Sequence, residues 1–141
     1  MKTRNCYSTE RISEPQTVLV VDDDPTVRSF EAQLLSMHGY NVLQAQSGAE
    51  ALQLADNVTI HLLLTDFSMP DIDGLELTQK FQTVHPETPV LMVSGSITST
   101  DKRIRNLARF GFLPKPFALA ELIQKVRSLV DAEAPLPIRN L

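Results

Sequence analysis

Four aspartates stand just after apolar runs of the chain, where their carboxylates could hold a metal ion. Asp22, Asp23 and Asp24 follow the run VLVV, and Asp66 follows LLLT. Two carboxylates about 4 Å apart repel each other by roughly 4 kcal/mol at an effective dielectric near 20, so a convergent set needs protons or a cation. Hard oxygen ligands on a water-accessible edge suit Mg2+, which keeps several waters and often shares its shell with a phosphate.

A hydroxyl and an ammonium group follow two further apolar runs. Ser94 comes after PVLMV, and Lys115 stands within FLPKPF. An anionic group attached to a carboxylate such as Asp66 needs a divalent cation, a hydrogen-bond donor and a positive charge around it, as in other phosphoryl-transfer sites. The joint occurrence of acids, hydroxyl and amine therefore predicts this chemistry.

The aspartates also have ordinary structural roles. Asp-Asp-Pro sequences are common in solvated turns, and Asp24 before Pro25 predicts a helix cap. Asp66 precedes the turn-forming segment SMPDIDG, so this residue could simply end a strand. Position alone decides neither case, and the prediction of a site depends on the full set of residues.

The segments that must position these residues alternate between short apolar runs and longer amphipathic stretches. The runs VLVV, LLL and VLMV are continuously apolar, which is typical of parallel strands covered on both faces. We predict helices between the strands and a three-layer doubly wound α/β fold, with its site at the carboxyl ends of the strands. The five strands are predicted near residues 18–21, 40–45, 60–65, 90–93 and 112–113.

Several helices have start signals or apolar spacing in the sequence. Asp24-Pro25 predicts the start of a helix that ends at Gly39, and SGAE at Ser47 has capping-box spacing for a helix to about residue 57. A further helix is predicted between Ser99 and Arg109. The predicted apolar face of the first helix is formed by Val27, Phe30, Leu34 and Met37. The predicted apolar positions of the closing helix are Leu119, Leu122, Val126 and Leu129 or Val130.

The two ends of the chain lack this periodicity. We predict a flexible N-terminal arm over residues 1–16, one domain over residues 17–130, and a C-terminal tail over residues 131–141, which contains two prolines. A net charge of −4 argues against a dedicated nucleic-acid binder. One cysteine cannot build a disulfide framework or a cysteine metal site. Without a signal peptide or a membrane span, we predict a cytoplasmic protein with no direct nucleic-acid or membrane partner.

The motifs VLVVDDDPTVR, LLLTDFSMPDIDG, PVLMVSGS and FLPKPF occur in this order. Together they resemble the receiver domains of response regulators in two-component signalling, over roughly residues 17–130. The resemblance implies a (βα)5 flavodoxin-like fold with a parallel sheet of order 2-1-3-4-5. It also implies a phosphorelay role, with a phosphoryl group taken from a sensor histidine kinase or a histidine phosphotransfer protein.

The resemblance also implies roles for individual residues. Asp66 matches the phosphoacceptor, Ser94 the switch hydroxyl, Phe112 the switch aromatic and Lys115 the family's lysine. The implied ligands of Mg2+ are Asp22, Asp23, Asp66 and the backbone carbonyl of Ser68. The sequence departs from the commonest pattern at Ser94, where threonine is more frequent, at Gly95, where alanine is usual, and at residues 108–110, ahead of the fifth strand.

The implied protein catalyses only its own phosphorylation and dephosphorylation and is not an enzyme for a separate metabolite. It signals to a downstream protein through the surface of the fourth helix, fifth strand and fifth helix. We also predict a cis peptide bond between Lys115 and Pro116, because the lysine must leave its strand towards the site while the chain turns to the last helix.

Three alternatives follow from the same residues. Asp22-Asp23-Asp24-Pro25-Thr26 fits the DxDxT motif of haloacid-dehalogenase-like phosphatases, with Asp22 as nucleophile, but this assignment leaves Asp66 without a role and lacks an acidic pair after the lysine. A flavin-binding module of flavodoxin topology would need a first loop that accepts phosphate, which three aspartates would repel. The third alternative is a degenerate receiver that acts by protein contact alone.

Overall fold

The computed structural model describes residues 14–98 and 100–133 and shows one parallel sheet with helices on both faces. The strands are β1 (Thr17–Val21), β2 (Asn41–Ala45), β3 (Leu62–Asp66), β4 (Val90–Ser94) and β5 (Phe110–Pro114). The helices are α1 (Pro25–Met37), α2 (Gly48–Asn57), α3 (Gly74–Val84) and α4 (Leu119–Glu133). The strand order is β2-β1-β3-β4-β5, which confirms the predicted doubly wound fold and its order.

The core has two layers because alternate residues of each central strand face opposite sides of the sheet. Val18 and Val20 of β1 pack in a cluster with Leu35 of α1 and with apolar residues of α4. Leu19 of β1 packs on the other face with Phe81 of α3 and with alanines of α2. Since both faces are covered, β1 and β4 are buried along their whole length, as their apolar runs predict.

Helix α1 begins and ends as predicted but buries a different face. The Asp24 carboxylate caps it by accepting the Thr26 and Val27 amide hydrogens at 2.9 and 3.4 Å, and Gly39 follows its end with φ +94°. Its buried residues are Glu31, Ala32 and Leu35. Phe30 and Met37 are 50% and 74% exposed, so the predicted apolar face is wrong at these two positions. Leu34, another residue of the predicted face, is partly buried against the core. The buried stripe lies beside it and includes a glutamate, which an apolar pattern does not reveal.

The helix predicted between Ser99 and Arg109 is wrong for the described residues of that segment. We call residues 95–109 the β4–β5 connection. Successive turns form there, in which the amide hydrogens of Asp101, Ile104 and Leu107 each bind the carbonyl three residues earlier. The Asp101 carboxylate also accepts the Arg103 amide hydrogen at 2.9 Å and its guanidinium at 2.8 and 3.0 Å. Such local side-chain bonds compete with helical bonding.

The chain ends fall partly outside the description. Helix α4 continues to Glu133, past the predicted domain boundary at Val130. Its Leu122, Val126 and Val130 are buried as predicted, whereas Leu119, in its first turn, is 46% exposed and the prediction is wrong there. Most of the predicted arm, residues 1–13, and of the tail, residues 134–141, lies outside the described residues. Among the helices that are described, none is both long enough and apolar enough to cross a membrane.

Candidate functional site

The parallel sheet brings three carboxylates to one edge. Strands β1 and β3 are direct neighbours, so Asp22 and Asp23, which follow β1, lie beside Asp66 at the end of β3. One oxygen from each carboxylate lies within 4.8 Å of the others. These distances suit the first shell of one hard cation, in agreement with the expectation from the sequence.

Lys115 brings a positive charge to the same place. Its ammonium Nζ donates to Asp66 Oδ1 at 2.8 Å, and the side chains are 34% and 13% exposed. The peptide bond from Lys115 to Pro116 is cis, which confirms the prediction. Burial opposes the charged form of Lys115, but the hydrogen bond and the charge of Asp66 outweigh this effect and raise the pKa of the lysine.

A glycine lets the third helix start against the backbone that carries Asp66. A Cβ atom at Gly74 would overlap the Asp66 carbonyl oxygen and lie 2.9 Å from Phe67 Cα. Instead, the Gly74 amide donates to the Phe67 carbonyl at 2.7 Å, and Asp73 caps the helix through the Glu76 amide at 2.8 Å. The start of α3 therefore fixes the end of β3, and with it the Asp66 backbone.

Asp22 is buried and incompletely satisfied. Its Oδ1 accepts the Asp24 amide hydrogen at 2.9 Å, whereas Oδ2 has no hydrogen-bond partner within the described part of the chain. Burial, together with the nearby charge of Asp66, raises its pKa, although the bond from Asp24 opposes the shift. An orphaned carboxylate oxygen beside two further carboxylates is what a hard cation would complete, so the residues present fit Mg2+.

A fourth acid, Glu31, lies buried near this cluster and was not singled out in the sequence. It is 3% exposed, and its Oε2 also has no partner among the described residues. Burial, followed by the charge of Asp22, raises its pKa to about 7. The one sequence signal for its burial is that Glu31 stands one helical turn before Leu35, which is buried.

The remaining predicted residues lie around this edge. Ser94, 2% exposed at the end of β4, accepts the amide hydrogens of Ser96 and Ile97 at 3.0 and 3.2 Å. Its hydroxyl is therefore engaged with the β4–β5 connection. Phe112 is half-buried and packs against a small cluster that includes Met92 and Ile104. Ser68 lies exposed in the loop after β3.

Comparisons with known proteins agree with this arrangement. Residues 18–127 match the response regulator receiver domain family. The chain is 35% identical over 127 residues to sensor kinase CckA of Brucella abortus (strain 2308), covering 86% of this chain and 13% of that protein. It is 37% identical over 123 residues to response regulator MprA of Mycobacterium sp. (strain KMS), covering 86% of this chain and 53% of that protein. The chain thus spans about half of one relative and a small part of the other.

Two solved structures show the same fold. The receiver domain from hybrid histidine kinase CckA has 38% identity and a TM-score of 0.68, covering 81% of this chain and 98% of that one. A CheY-like response regulator receiver domain protein from Methanospirillum hungatei JF-1 has 27% identity and a TM-score of 0.78, covering 84% and 96%.

These matches do not support the alternative of a haloacid-dehalogenase-like phosphatase. The family match extends from β1 into α4 and takes in all five strands, together with the aspartates of the first and third strands and the lysine after the fifth. The chain belongs to the response regulator receiver domain family and is a receiver domain of two-component signalling.

Proposed function

We propose that this receiver domain takes a phosphoryl group onto the Asp66 carboxylate. The observation that carries the proposal is that Asp66 lies next to both a positive charge and a set of metal-binding carboxylates. Its Oδ1 accepts from Lys115 Nζ at 2.8 Å, while a carboxylate oxygen lies within 4.8 Å of oxygens from Asp22 and Asp23. Receiver domains take phosphate from a histidine kinase, and we infer a phosphohistidine donor on a sensor kinase or a phosphotransfer protein.

The proposed reaction is an in-line displacement. A carboxylate oxygen of Asp66 attacks phosphorus, the phosphorus–nitrogen bond of phosphohistidine breaks, and the electron pair stays on the imidazole. Asp23, Asp66 and the Ser68 carbonyl would hold Mg2+, with Asp22 acting mainly through water, and the bound ion would neutralise the phosphoryl oxygens. The Lys115 ammonium then faces the new phosphoryl group.

The same residues would later release the group. Water attacks phosphorus, the bond between phosphorus and the Asp66 oxygen breaks, and inorganic phosphate leaves. This step restores the Asp66 carboxylate, so the protein turns over only its own phosphoryl group. We propose that the site acts on no separate metabolite, that the protein works in the cytoplasm, and that residues 17–130 suffice for this chemistry, with an arm before them and a tail after them.

The signal is proposed to leave through Ser94 and Phe112. Phosphoryl oxygens on Asp66 are strong acceptors. The Ser94 hydroxyl would therefore release the Ser96 and Ile97 amides and donate to a phosphoryl oxygen. Phe112 could then turn inward. A downstream protein would contact the surface formed by the β4–β5 connection, β5 and α4, where the connection stands in place of the expected fourth helix.

Acetyl phosphate labelling tests the phosphoacceptor. Wild type, Asp66→Asn and Asp23→Ala are incubated with labelled acetyl phosphate, each with Mg2+ or with EDTA. We expect acid-labile label on wild type only with Mg2+, none on Asp66→Asn, and labelling slowed by about a hundredfold in Asp23→Ala, a loss typical of a missing electrostatic contact in a transition state. Equal label on wild type and Asp66→Asn would refute the assignment, and melting curves establish that each variant is folded.

A further inference from the structure

Glu31 is a buried carboxylate that the proposed reaction does not use. It lies on α1, is 3% exposed, and its Oε2 has no hydrogen-bond partner among the residues that the structure describes. A buried carboxylate without a partner is costly, so its presence in a folded protein calls for an explanation such as a functional role. The question is which donor can reach it.

Lys115 is the charged donor that lines the same groove as Glu31. Glu31 and Lys115 both line a groove of about 640 Å3 between α1 and the segment after β5, whose other walls include Phe30, Pro116 and Phe117. The charged groups that influence Glu31 are Asp22, Asp66 and Lys115, so the lysine is the one cation among them. Lys115 carries three N–H donors, and the described part of the chain uses one of them, towards Asp66.

A divalent cation at the three aspartates changes the position of lowest energy for the ammonium. The cation and Lys115 would then share the Asp66 carboxylate, and two positive charges at one carboxylate repel each other. Movement into bulk water would withdraw the ammonium from the site. Movement to Glu31 keeps it inside the groove and gives the orphaned oxygen a charged donor.

We propose that Glu31 is a positioning residue that receives the Lys115 ammonium when a divalent cation occupies the Asp22, Asp23 and Asp66 carboxylates. Lys115 thus has two stations, Asp66 without the cation and Glu31 with it, and a phosphoryl group on Asp66 draws it back. The inference rests on the proposed function of the site. It assigns to this chain an acid beyond the aspartates that governs how readily the cation enters.

The test measures Mg2+ affinity of the full chain by NMR at pH 8, with no phosphoryl donor present. We compare four proteins: wild type, Glu31→Gln, Lys115→Met and the double variant. Glu31→Gln keeps the shape of the side chain and removes its charge. We expect Glu31→Gln to weaken Mg2+ binding about fivefold with Lys115 present, at the low end of typical two-site coupling, and less than about twofold in the Lys115→Met background. Glu31→Asp should recover part of the affinity.

The side-chain Hε and Cε resonances of Lys115 provide a direct readout. They should shift on Mg2+ addition in wild type, and that shift should be lost in Glu31→Gln. Unchanged affinity in Glu31→Gln would overturn the proposal. An equal loss in both backgrounds would also overturn it, since Glu31 would then act as a fixed charge. If Glu31→Gln does not fold, the wild type alone tests the proposal: Lys115 resonances that do not shift on Mg2+ addition would overturn it. Phosphoryl labelling of wild type at Asp66 reports separately on the proposed function.

Discussion

The β1–β3 half and the β4–β5 half of the sheet hold their functional residues in different ways. On the β1–β3 side, Asp66 ends a strand between two buried neighbours, and the start of α3 packs against its backbone. On the β4–β5 side, the Ser94 hydroxyl accepts from amides of the β4–β5 connection, in which turns form at Asp101, Ile104 and Leu107. Within the described residues of that connection, Ile104 alone is fully buried.

This difference matches the separate requirements of phosphoryl transfer, which needs fixed positions, and of signalling, which needs movement. In-line transfer to a carboxylate depends on fixed distances between Asp66 and the metal ligands Asp22 and Asp23, and the buried parallel strands β1 and β3 provide them. A change in surface shape needs a segment that can move at low cost, and one held by few buried contacts provides that. The first, second and fourth of the predictions that follow test this division, and the third tests the burial of Glu31.

Core truncations should cost more on the β1–β3 side. Leu64 and Ile104 are 1% and 4% exposed, so burial alone predicts similar losses on mutation to alanine. We expect Leu64→Ala to lower the free energy of unfolding by about 4 kcal/mol and Ile104→Ala by about 2 kcal/mol, because the connection can collapse into the cavity. Urea denaturation measures both. Equal losses would show that the connection is as rigid as the central strands.

Glycine substitutions make the same comparison at the backbone. Gly74→Ala should lower the free energy of unfolding by about 2 to 3 kcal/mol, because its Cβ meets the backbone of residues 66 and 67. In Gly95→Ala, the nearest atom to the new Cβ is Lys115 Cβ at 3.7 Å, an ordinary contact. We expect a change of at most about 0.5 kcal/mol there. Thermal unfolding of both variants decides, and tolerance of Gly74→Ala would contradict the close approach of α3.

The Glu31 carboxyl should make stability depend on pH. Its folded pKa of about 7 lies above its ordinary value of 4.5, so the folded state holds the proton more tightly. The resulting stabilisation is complete below pH 4.5 and is lost as pH rises through 7. Between these values, wild type should lose about 3 kcal/mol relative to Glu31→Gln, measured by urea denaturation in EDTA. Parallel curves for the two proteins would rule out a buried, titrating Glu31.

The smallest effect concerns transmission through Ser94. With beryllofluoride as a mimic of the phosphoryl group, wild type should show amide shift changes at Phe112 and along residues 100–109. Ser94→Ala should still accept the mimic, but with changes in the connection reduced by more than half, consistent with a coupling of about 1 to 3 kcal/mol. Shifts of equal size and extent in both proteins would show that the hydroxyl does not link the site to the connection.

The sequence predicted the side of the sheet where local and global signals agree. The runs VLVV and LLL are apolar throughout and form buried strands, and Asp24-Pro25 caps α1 as expected. The wrong predictions lie where these signals diverge. Ile104 and Leu107 are three residues apart, which suits a helix or a series of turns, and Asp101 bonds locally to Arg103. Sequence spacing alone does not distinguish these outcomes.

Glu31 escaped prediction for a related reason. A glutamate on a surface helix is ordinarily solvated, so its burial depends on what packs over it, which no local pattern records. Phe30 beside it is apolar but 50% exposed, so the apolar pattern did not point to Glu31. The positions of Asp22, Asp66 and Lys115, by contrast, follow from strand ends and strand order, which a sequence does encode.

The turns of the β4–β5 connection also affect how readily a protease cleaves the chain. Four basic residues, Lys102, Arg103, Arg105 and Arg109, are exposed there, and trypsin cleaves after such residues. A protease must extend the chain locally to cut it. A segment in which Ile104 is the one fully buried side chain among the described residues opens at lower cost than a strand of the sheet. The low cost of opening that would let this segment report a signal should therefore also make it more readily cleaved than the strands of the sheet.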